Sequence, residues 1–286
     1  MALLAIGSAN FGLKYGFRNQ NRKLSPETVG EILDYAWENG ADTIDTSMGY
    51  GDSESVIGSY LEVNKGKDFR IITKINTTEA PTKRLNQSLD NLHKLDVYGI
   101  LIHNFNYYEK NPGLFDYLLQ FKKEGKCRKI GISLYYPEEL QLLIDKKIPL
   151  DIVQVAYSIF DRRFEKMFPV LKELGTEIHV RSAFLQGLFF SETQKLSVHF
   201  DHVKNKIDTI QKLSASTGIS IASLCLNFAA DNQFIDKIII GVDSLSDLKD
   251  NLRILSENGP VQPYLEPLYD LAIEDVNILF PHLWKL

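Results

Sequence analysis

Residues 25–51, SPETVGEILDYAWENGADTIDTSMGYG, decide how the rest of the chain is read. Ser25 can cap a helix N-terminus, Pro26 suits the first helical position because its missing N–H would be unpaired there anyway, and Gly40 suits the residue just past the end. Val29, Ile32, Leu33, Ala36 and Trp37 recur at helical spacing and give the segment one apolar face. ADTID follows at once and reads as a short strand with Asp45 at its carboxyl end. The unit is a helix, a tight turn, a strand and a loop.

The same unit recurs along the chain. Strand-like runs fall at 3–6, 43–45, 70–74, 97–102, 129–133, 152–156, 177–182 and 237–241, most of them apolar on both faces, as buried parallel strands must be. Helical patterns fall between them at 53–63, 81–95, 111–124, 137–146 and 162–174. The longer stretch 200–231 reads as two helices parted near Gly218, and a last helix at 245–257 follows the eighth strand. Eight strands alternating with helices is the count of a (β/α)8 TIM barrel, an α/β fold. A doubly wound sheet usually opens on a Gly-rich turn, and no GxGxxG follows any strand.

The 286 residues suit one barrel domain over 1–286, since such barrels need about 250. Residues 259–286, which begin Gly259-Pro260 and carry Tyr264, Phe280 and Trp284, read as a C-terminal extension across one end. A 44% hydrophobic and 24% charged composition is that of a soluble globular protein, and a formal charge of −5 argues against a polyanionic partner such as nucleic acid. The apolar start MALLAIGSANFG lacks the basic region and length of a signal peptide, and no run approaches 18 apolar residues. A cytoplasmic protein without a membrane partner is the expectation. Cys127 and Cys225 have neither CxxC spacing nor a nearby His at metal-ligand spacing, so they read as ordinary thiols. The oligomeric state is not legible.

Four residues at successive strand ends carry the chemistry. Asp45 ends the second strand, Tyr50 lies in the loop after it, Lys74 ends the third strand and His103 follows the fourth. In a parallel barrel these ends share one face, and neighbouring strands lie about 5 Å apart. An ammonium favours phenolate over phenol, so Lys74 can make Tyr50 a usable acid or base. Asp45 can hold Lys74 charged, while His103 can hydrogen-bond a carbonyl oxygen. None of the four supplies a hydride, which implies a nicotinamide cofactor. Singly, each has a structural reading: a helix cap for Asp45, a solvated Lys74, a packing Tyr50 and a structural His103.

With these residues the chain resembles the aldo-keto reductase family over nearly its whole length. The resemblance rests on Asn10-Phe11-Gly12, Ile44-Asp45-Thr46 through Tyr50-Gly51, Ser53-Glu54 with Gly58, Thr73-Lys74, Ile102-His103-Asn104 and Gly131-Ile132-Ser133. It implies a barrel that binds NAD(P)H in extended form and reduces an aldehyde or ketone reversibly, with Asp45, Tyr50, Lys74 and His103 as a catalytic tetrad. It also implies that Ser133 and Gln154 hold the nicotinamide carboxamide, and that Ser182, Leu185 and Gly187 follow the pyrophosphate. The segment containing Gly241, Val242, Ser244, Asp247 and Asn251 then forms the adenosine-phosphate site, where a helix N-terminus can meet phosphate.

Four positions depart from the family pattern. Leu134 stands where an Asn often follows the GxS serine, and Arg181 where many members place a Tyr that stacks on the nicotinamide. Gly241 and Asp247 stand where many members grip the NADPH 2′-phosphate with Lys and Arg, leaving Ser244 or Lys249 to compensate. NADPH is the implied cofactor, with NADH as the alternative. Phe11, Tyr15, Phe105, Tyr107, Tyr108, Tyr135, Tyr136 and Phe160, with Arg162 and Arg163, suggest a small-molecule substrate that is a sugar or an anionic carbonyl compound. The opening segment and RSAFLQGLF resemble a bacterial subgroup associated with surface-polysaccharide metabolism. Two other readings remain: a nicotinamide-sensing module with little turnover, and a hydrolase or lyase that uses Asp45 and His103 without nicotinamide.

Overall fold

The helix read from 25–40 forms as Pro26–Glu38, with the Ser25 hydroxyl accepting the Thr28 N–H at 3.3 Å. Val29, Ile32, Leu33 and Ala36 are fully buried in the core, each large aliphatic side chain contributing about 1.5–3 kcal/mol through removal from water. The computed structural model describes residues 3–14, 23–257 and 261–285.

Eight parallel strands close on themselves in chain order. They are β1 (Leu4–Gly7), β2 (Thr43–Asp45), β3 (Arg70–Ile75), β4 (Val97–Ile102), β5 (Cys127–Ser133), β6 (Ile152–Ala156), β7 (Glu177–Arg181) and β8 (Lys237–Gly241). β8 pairs with β1, Gly241 opposite Gly7, which seals the ring. The fold is therefore the expected (β/α)8 barrel. Inside the ring, Ile72, Leu101 and Ile152 form a small fully buried apolar plug. The larger core lies between the strands and the outer helices. A polar group lies at the amino ends of the strands, with Tyr98 Oη and Lys129 Nζ both 2.7 Å from Glu177 Oε1. The plug separates them from the carboxyl ends.

Several helices differ from the sequence reading. The helix expected at 111–124 begins only at Leu114 (Leu114–Lys123), because Pro112-Gly113 interrupts it, and a separate short helix, Phe105–Lys110, follows Asn104 directly. The segment 162–174 is a 3₁₀ turn, Glu165–Met167, followed by the helix Phe168–Glu173. The helix at 81–95 stops at Asn91, and His93 is left-handed at φ 51°. The stretch 200–231 is two helices, Asp201–Thr217 and Ile221–Asp231, parted at Gly218, whose φ is 73°.

In residues 261–285, Ile273 N–H bonds Phe160 O at 2.9 Å and the Trp284 indole packs on Phe200. Gly259, Pro260 and Tyr15 lie outside the described residues. Among the described residues no single helix is long and apolar enough to cross a membrane, although the bent pair Val198–Thr217 and Ile221–Asp231 together have the length and composition. Both cysteines are free and buried, and burial pushes the Cys127 thiol up to about 12.

Candidate active site

Lys74 is the fixed point of the site. It points inward from β3 and is completely buried, and its Nζ donates to Asp45 Oδ1 at 2.5 Å and to Thr46 O at 3.0 Å. Burial alone would push its ammonium down; the charges of Asp45 and then Tyr50, with the hydrogen bonds to both, outweigh that and raise its pKa. Asp45 uses its other oxygen as well, accepting Gln154 Nε2 at 2.7 Å. A buried charge needs such partners, because an unpaired one costs several kcal/mol.

Tyr50 lies over this pair. Its hydroxyl is 3.5 Å from Lys74 Nζ, which also sits 5.1 Å from the ring centroid. The turn carrying Tyr50 is pressed against the short helix Ala9–Gly12 that follows β1, where a Cβ on Gly12 would fall 1.9 Å from Tyr50 O. Gly51 has φ 59° and an added Cβ would fall 2.4 Å from Gly12 O, so both positions need glycine. Ser53 Oγ bonds Ser8 O and Ser8 Oγ at 3.0 and 2.8 Å, tying the same turn to β1. Glu54 accepts Thr73 Oγ1 at 2.6 Å and also the Ser88 hydroxyl, and burial raises its pKa. The Ser53-Glu54 dipeptide is thus the anchor of the loop.

His103 meets Tyr50 edge to face, ring centroids 5.5 Å apart. Burial, reinforced by the Lys74 and Arg181 charges, lowers its pKa to about 3, so the ring is neutral at ordinary pH. Its Nδ1 lies 2.9 Å from Ser47 Oγ.

A cavity of about 750 Å³ opens above these groups. Asp45, Tyr50 and His103 line one end, and Ser133, Gln154, Arg181 and Ser182 continue the wall. Gly187, Gly241, Asp247 and Asn251 line it toward the other end. Three of the expected cofactor contacts lie off the wall: Leu185 and Val242 are packed into the core, and Ser244 caps the helix Leu245–Ser256 by accepting Asp247 N–H at 3.1 Å. Among the described lining residues the sole Lys or Arg is Arg181, whereas Asp243, Asp247 and Asp250 stand together toward β8.

The Arg181 guanidinium lies 4.4 Å from the Tyr135 ring centroid and donates to Leu134 O at 3.2 Å. Tyr135 is itself held edge to face by Phe280, so the C-terminal segment fixes this wall. The segment from β7 has four left-handed residues close together, Ser182, Leu185, Gln186 and Gly187, the first at φ 67°. Three of these are not glycine, a concentration of strain of the kind found at functional sites.

Some residues named from the sequence turn away. Arg162 bonds Glu165 and Tyr269 O, and Arg163 forms two bonds with Asp161, so neither faces the cavity. Phe11, Tyr108 and Phe160 are core. Lys249 lies over Tyr35 on the helix Pro26–Glu38. Other lining residues carry no role in the sequence reading, among them Asn10, Phe184 and Phe190. Asn10 Nδ2 bonds Val242 O and Asp243 Oδ1, while its buried Oδ1 has no partner.

A model described as the aldo/keto reductase family matches residues 3–261 of the chain. An uncharacterised oxidoreductase of Bacillus subtilis is 22% identical over 274 residues, covering 86% of this chain and 88% of the relative. L-galactose dehydrogenase of Arabidopsis thaliana is 24% identical over 272 residues, 83% and 84% of the two chains. A solved aldo-keto reductase from Bacillus halodurans in its holo form superposes with a TM-score of 0.77 at 19% identity, covering 96% and 95%.

Proposed function

Since the chain belongs to the aldo/keto reductase family and is an oxidoreductase, we propose that it reduces an aldehyde or ketone reversibly, with Tyr50 as the general acid in reduction and the base in oxidation. The family acts on small-molecule carbonyl compounds and uses nicotinamide cofactors. The observation that carries the reading is the buried Lys74, paired with Asp45 and aimed at the Tyr50 hydroxyl beside His103 at one end of a single long cavity.

The cavity fits such a cofactor. Its volume lies within the roughly 300–1,000 Å³ of small-molecule and cofactor sites. Nothing lies within 4 Å of where a Gly241 Cβ would stand, and Asn10 Oδ1 is a buried acceptor awaiting a donor. In this reading Ser133 and Gln154 hold the carboxamide, Ser182 and Gly187 the middle, and Gly241, Asp247 and Asn251 the adenosine end. The bound cofactor supplies the hydride.

The chain's own residues handle the proton. Tyr50 gives its hydroxyl proton to the carbonyl oxygen, and the Lys74 ammonium stabilises the phenolate left behind. Asp45 keeps Lys74 charged and in place, and Gln154 keeps Asp45 in place. His103, being neutral, donates one hydrogen bond to the carbonyl oxygen and fixes the approach of the substrate. A sugar-derived carbonyl compound is the favoured class, supported by the sugar named for the Arabidopsis relative.

NADPH is the favoured cofactor, with NADH also accepted. Three carboxylates at the far end and the absence there of any lining Lys or Arg among the described residues oppose a strong preference for a 2′-phosphate. A single-domain organisation over 1–286 and a cytoplasmic location belong to the same proposal; the former is supported by a ring whose strands run from Leu4 to Gly241.

Tyr50→Phe tests the assignment. It should leave NAD(P)H binding intact, read by fluorescence titration, and lower turnover of an activated aldehyde by about 10²–10⁴-fold. An undiminished rate would sink the acid role.

A further inference from the structure

We infer that Ser47 sets the tautomer of His103, holding Nδ1 as an acceptor so that the ring carries its proton on Nε2, toward the cavity. The inference rests on the reaction proposed above only for its consequence. The hydrogen-bond geometry stands without it.

Ser47 is fully buried two residues after Asp45 and does not line the cavity, so it cannot meet a substrate itself. Its Oγ has three neighbours. The Gly49 N–H donates to it at 3.1 Å, His103 Nδ1 lies at 2.9 Å and Lys74 O at 3.3 Å. A hydroxyl has one proton, and here it has two places to go. At 3.3 Å the carbonyl lies beyond the roughly 2.5–3.0 Å of an O–H···O bond, whereas 2.9 Å to the ring nitrogen is an ordinary bond length. We assign the proton to Nδ1, because the opposite arrangement, with Nδ1–H donating to Oγ, leaves the hydroxyl only the stretched 3.3 Å contact with Lys74 O. A neutral imidazole carries one N–H, so an accepting Nδ1 leaves that hydrogen on Nε2.

Two further observations keep the ring in this state. Burial, with Lys74 and Arg181 nearby, lowers the His103 pKa to about 3, so a choice between neutral tautomers exists throughout the working range. The ring is also wedged: Tyr50 stands edge-on to it, and the Gly49 turn lies close enough that an added Cβ would come within 3.4 Å of His103 Cε1. Turning the ring over would set a carbon against Ser47 Oγ and forfeit the bond.

The consequence is directional. With Nε2–H the ring donates to a carbonyl oxygen; with the other tautomer it would present a lone pair to another lone pair and push the substrate away. Ser47 is thus a positioning residue acting through His103. No sequence motif announces it, because a serine two places after a strand-end Asp is otherwise an unremarkable loop residue.

The test reads the tautomer directly in the free protein. Histidine ring nitrogens of ¹⁵N-labelled protein are observed by long-range ¹H–¹⁵N correlation at pH 7, His103 being assigned by its loss in His103→Gln. The wild type should show a protonated Nε2 and an unprotonated Nδ1. Ser47→Ala should populate the Nδ1–H form and lower kcat for an activated aldehyde by about tenfold, roughly the 1.4 kcal/mol of one lost hydrogen bond, with the NAD(P)H dissociation constant unchanged. Ser47→Thr, which restores the hydroxyl, should recover both the Nε2–H signature and the rate. A wild type carrying Nδ1–H, or a Ser47→Ala protein with an unaltered tautomer, overturns the inference. Because the spectrum needs neither cofactor nor substrate, a protein that reduces no carbonyl compound yet shifts its tautomer in Ser47→Ala would refute the proposed reaction and uphold the role of Ser47.

Discussion

The two ends of the cavity are built on opposite principles. At the β2–β4 end every charge is buried and answered: Lys74 is matched by Asp45, Asp45 by Gln154, and Tyr50 and His103 stand over them. At the β8 end Gly241, Asp243, Asp247 and Asp250 are exposed, and the Ser244–Asp247 bonds join residues three apart in one capping turn. The first arrangement fixes geometry to a fraction of an ångström at the expense of desolvating charges. The second leaves like charges in water, where each interacts weakly and solvent can adjust. On the proposed function, the difference separates two tasks: proton transfer needs the rigid, dry end, while holding the far part of a long ligand tolerates the wet one.

The strongest way to break the contrast is Lys74→Met. It leaves Asp45 buried with only Gln154, and removing one partner of a buried pair costs about 3–5 kcal/mol, so the urea midpoint should fall steeply along with turnover. A loss below about 1 kcal/mol, the size expected of a surface pair, would mean that the two ends are energetically alike.

Acidification probes the same end more gently. His103 has a folded pKa of about 3 against 6.5 for an ordinary imidazole. Above pH 6.5 the ring is neutral in both folded and unfolded chains and changes nothing. As the pH falls from 6.5 toward 3 the unfolded chain takes up a proton that the folded one refuses, and stability is lost. Between pH 7 and pH 5 this amounts to roughly 2 kcal/mol. The comparison of wild type with His103→Gln by urea unfolding at both pH values should show that loss only in the wild type.

The smallest effect belongs to the far end. Wild-type affinities for NADPH and NADH should differ by less than about a hundredfold, or 2.7 kcal/mol. Asp247→Arg should swing the ratio toward NADPH by about tenfold while leaving thermal stability nearly unchanged, because Asp247 is exposed. A ratio that does not move would show that this end does not meet the 2′ position.

Much of the frame was legible because it is periodic. The strands at 43–45, 97–102, 152–156 and 237–241 coincide with β2, β4, β6 and β8, and the others differ by one or two residues at an end. β7 stops at Arg181 rather than 182 because Ser182 turns left-handed, a conformation that its residue type does not announce. The four residues at strand ends were legible for the same reason: in a parallel barrel, order along the chain is order around the ring. The two arginines after β6 were not, since Asp161 and Glu165 lie next to them and capture them locally. Lys249 was misleading in a similar way, its long stem allowing it to reach Tyr35 instead of the cavity.

The sequence by itself determined that eight apolar runs alternate with amphipathic helices, and that an Asp, a Tyr, a Lys and a His stand where such runs end. Hydrophobic period and end residues are local properties, and local patterns survive without the rest of the molecule. Only the tertiary structure decided that Gln154 turns its amide to Asp45, that Ser47 reaches His103 across 56 positions of chain, and that the C-terminal segment holds Tyr135 under Arg181. Those pairings arise from closure of the ring, which brings strand ends within a few ångströms whatever their separation in sequence. A hydrogen bond depends on that distance and not on the spacing of residues along the chain.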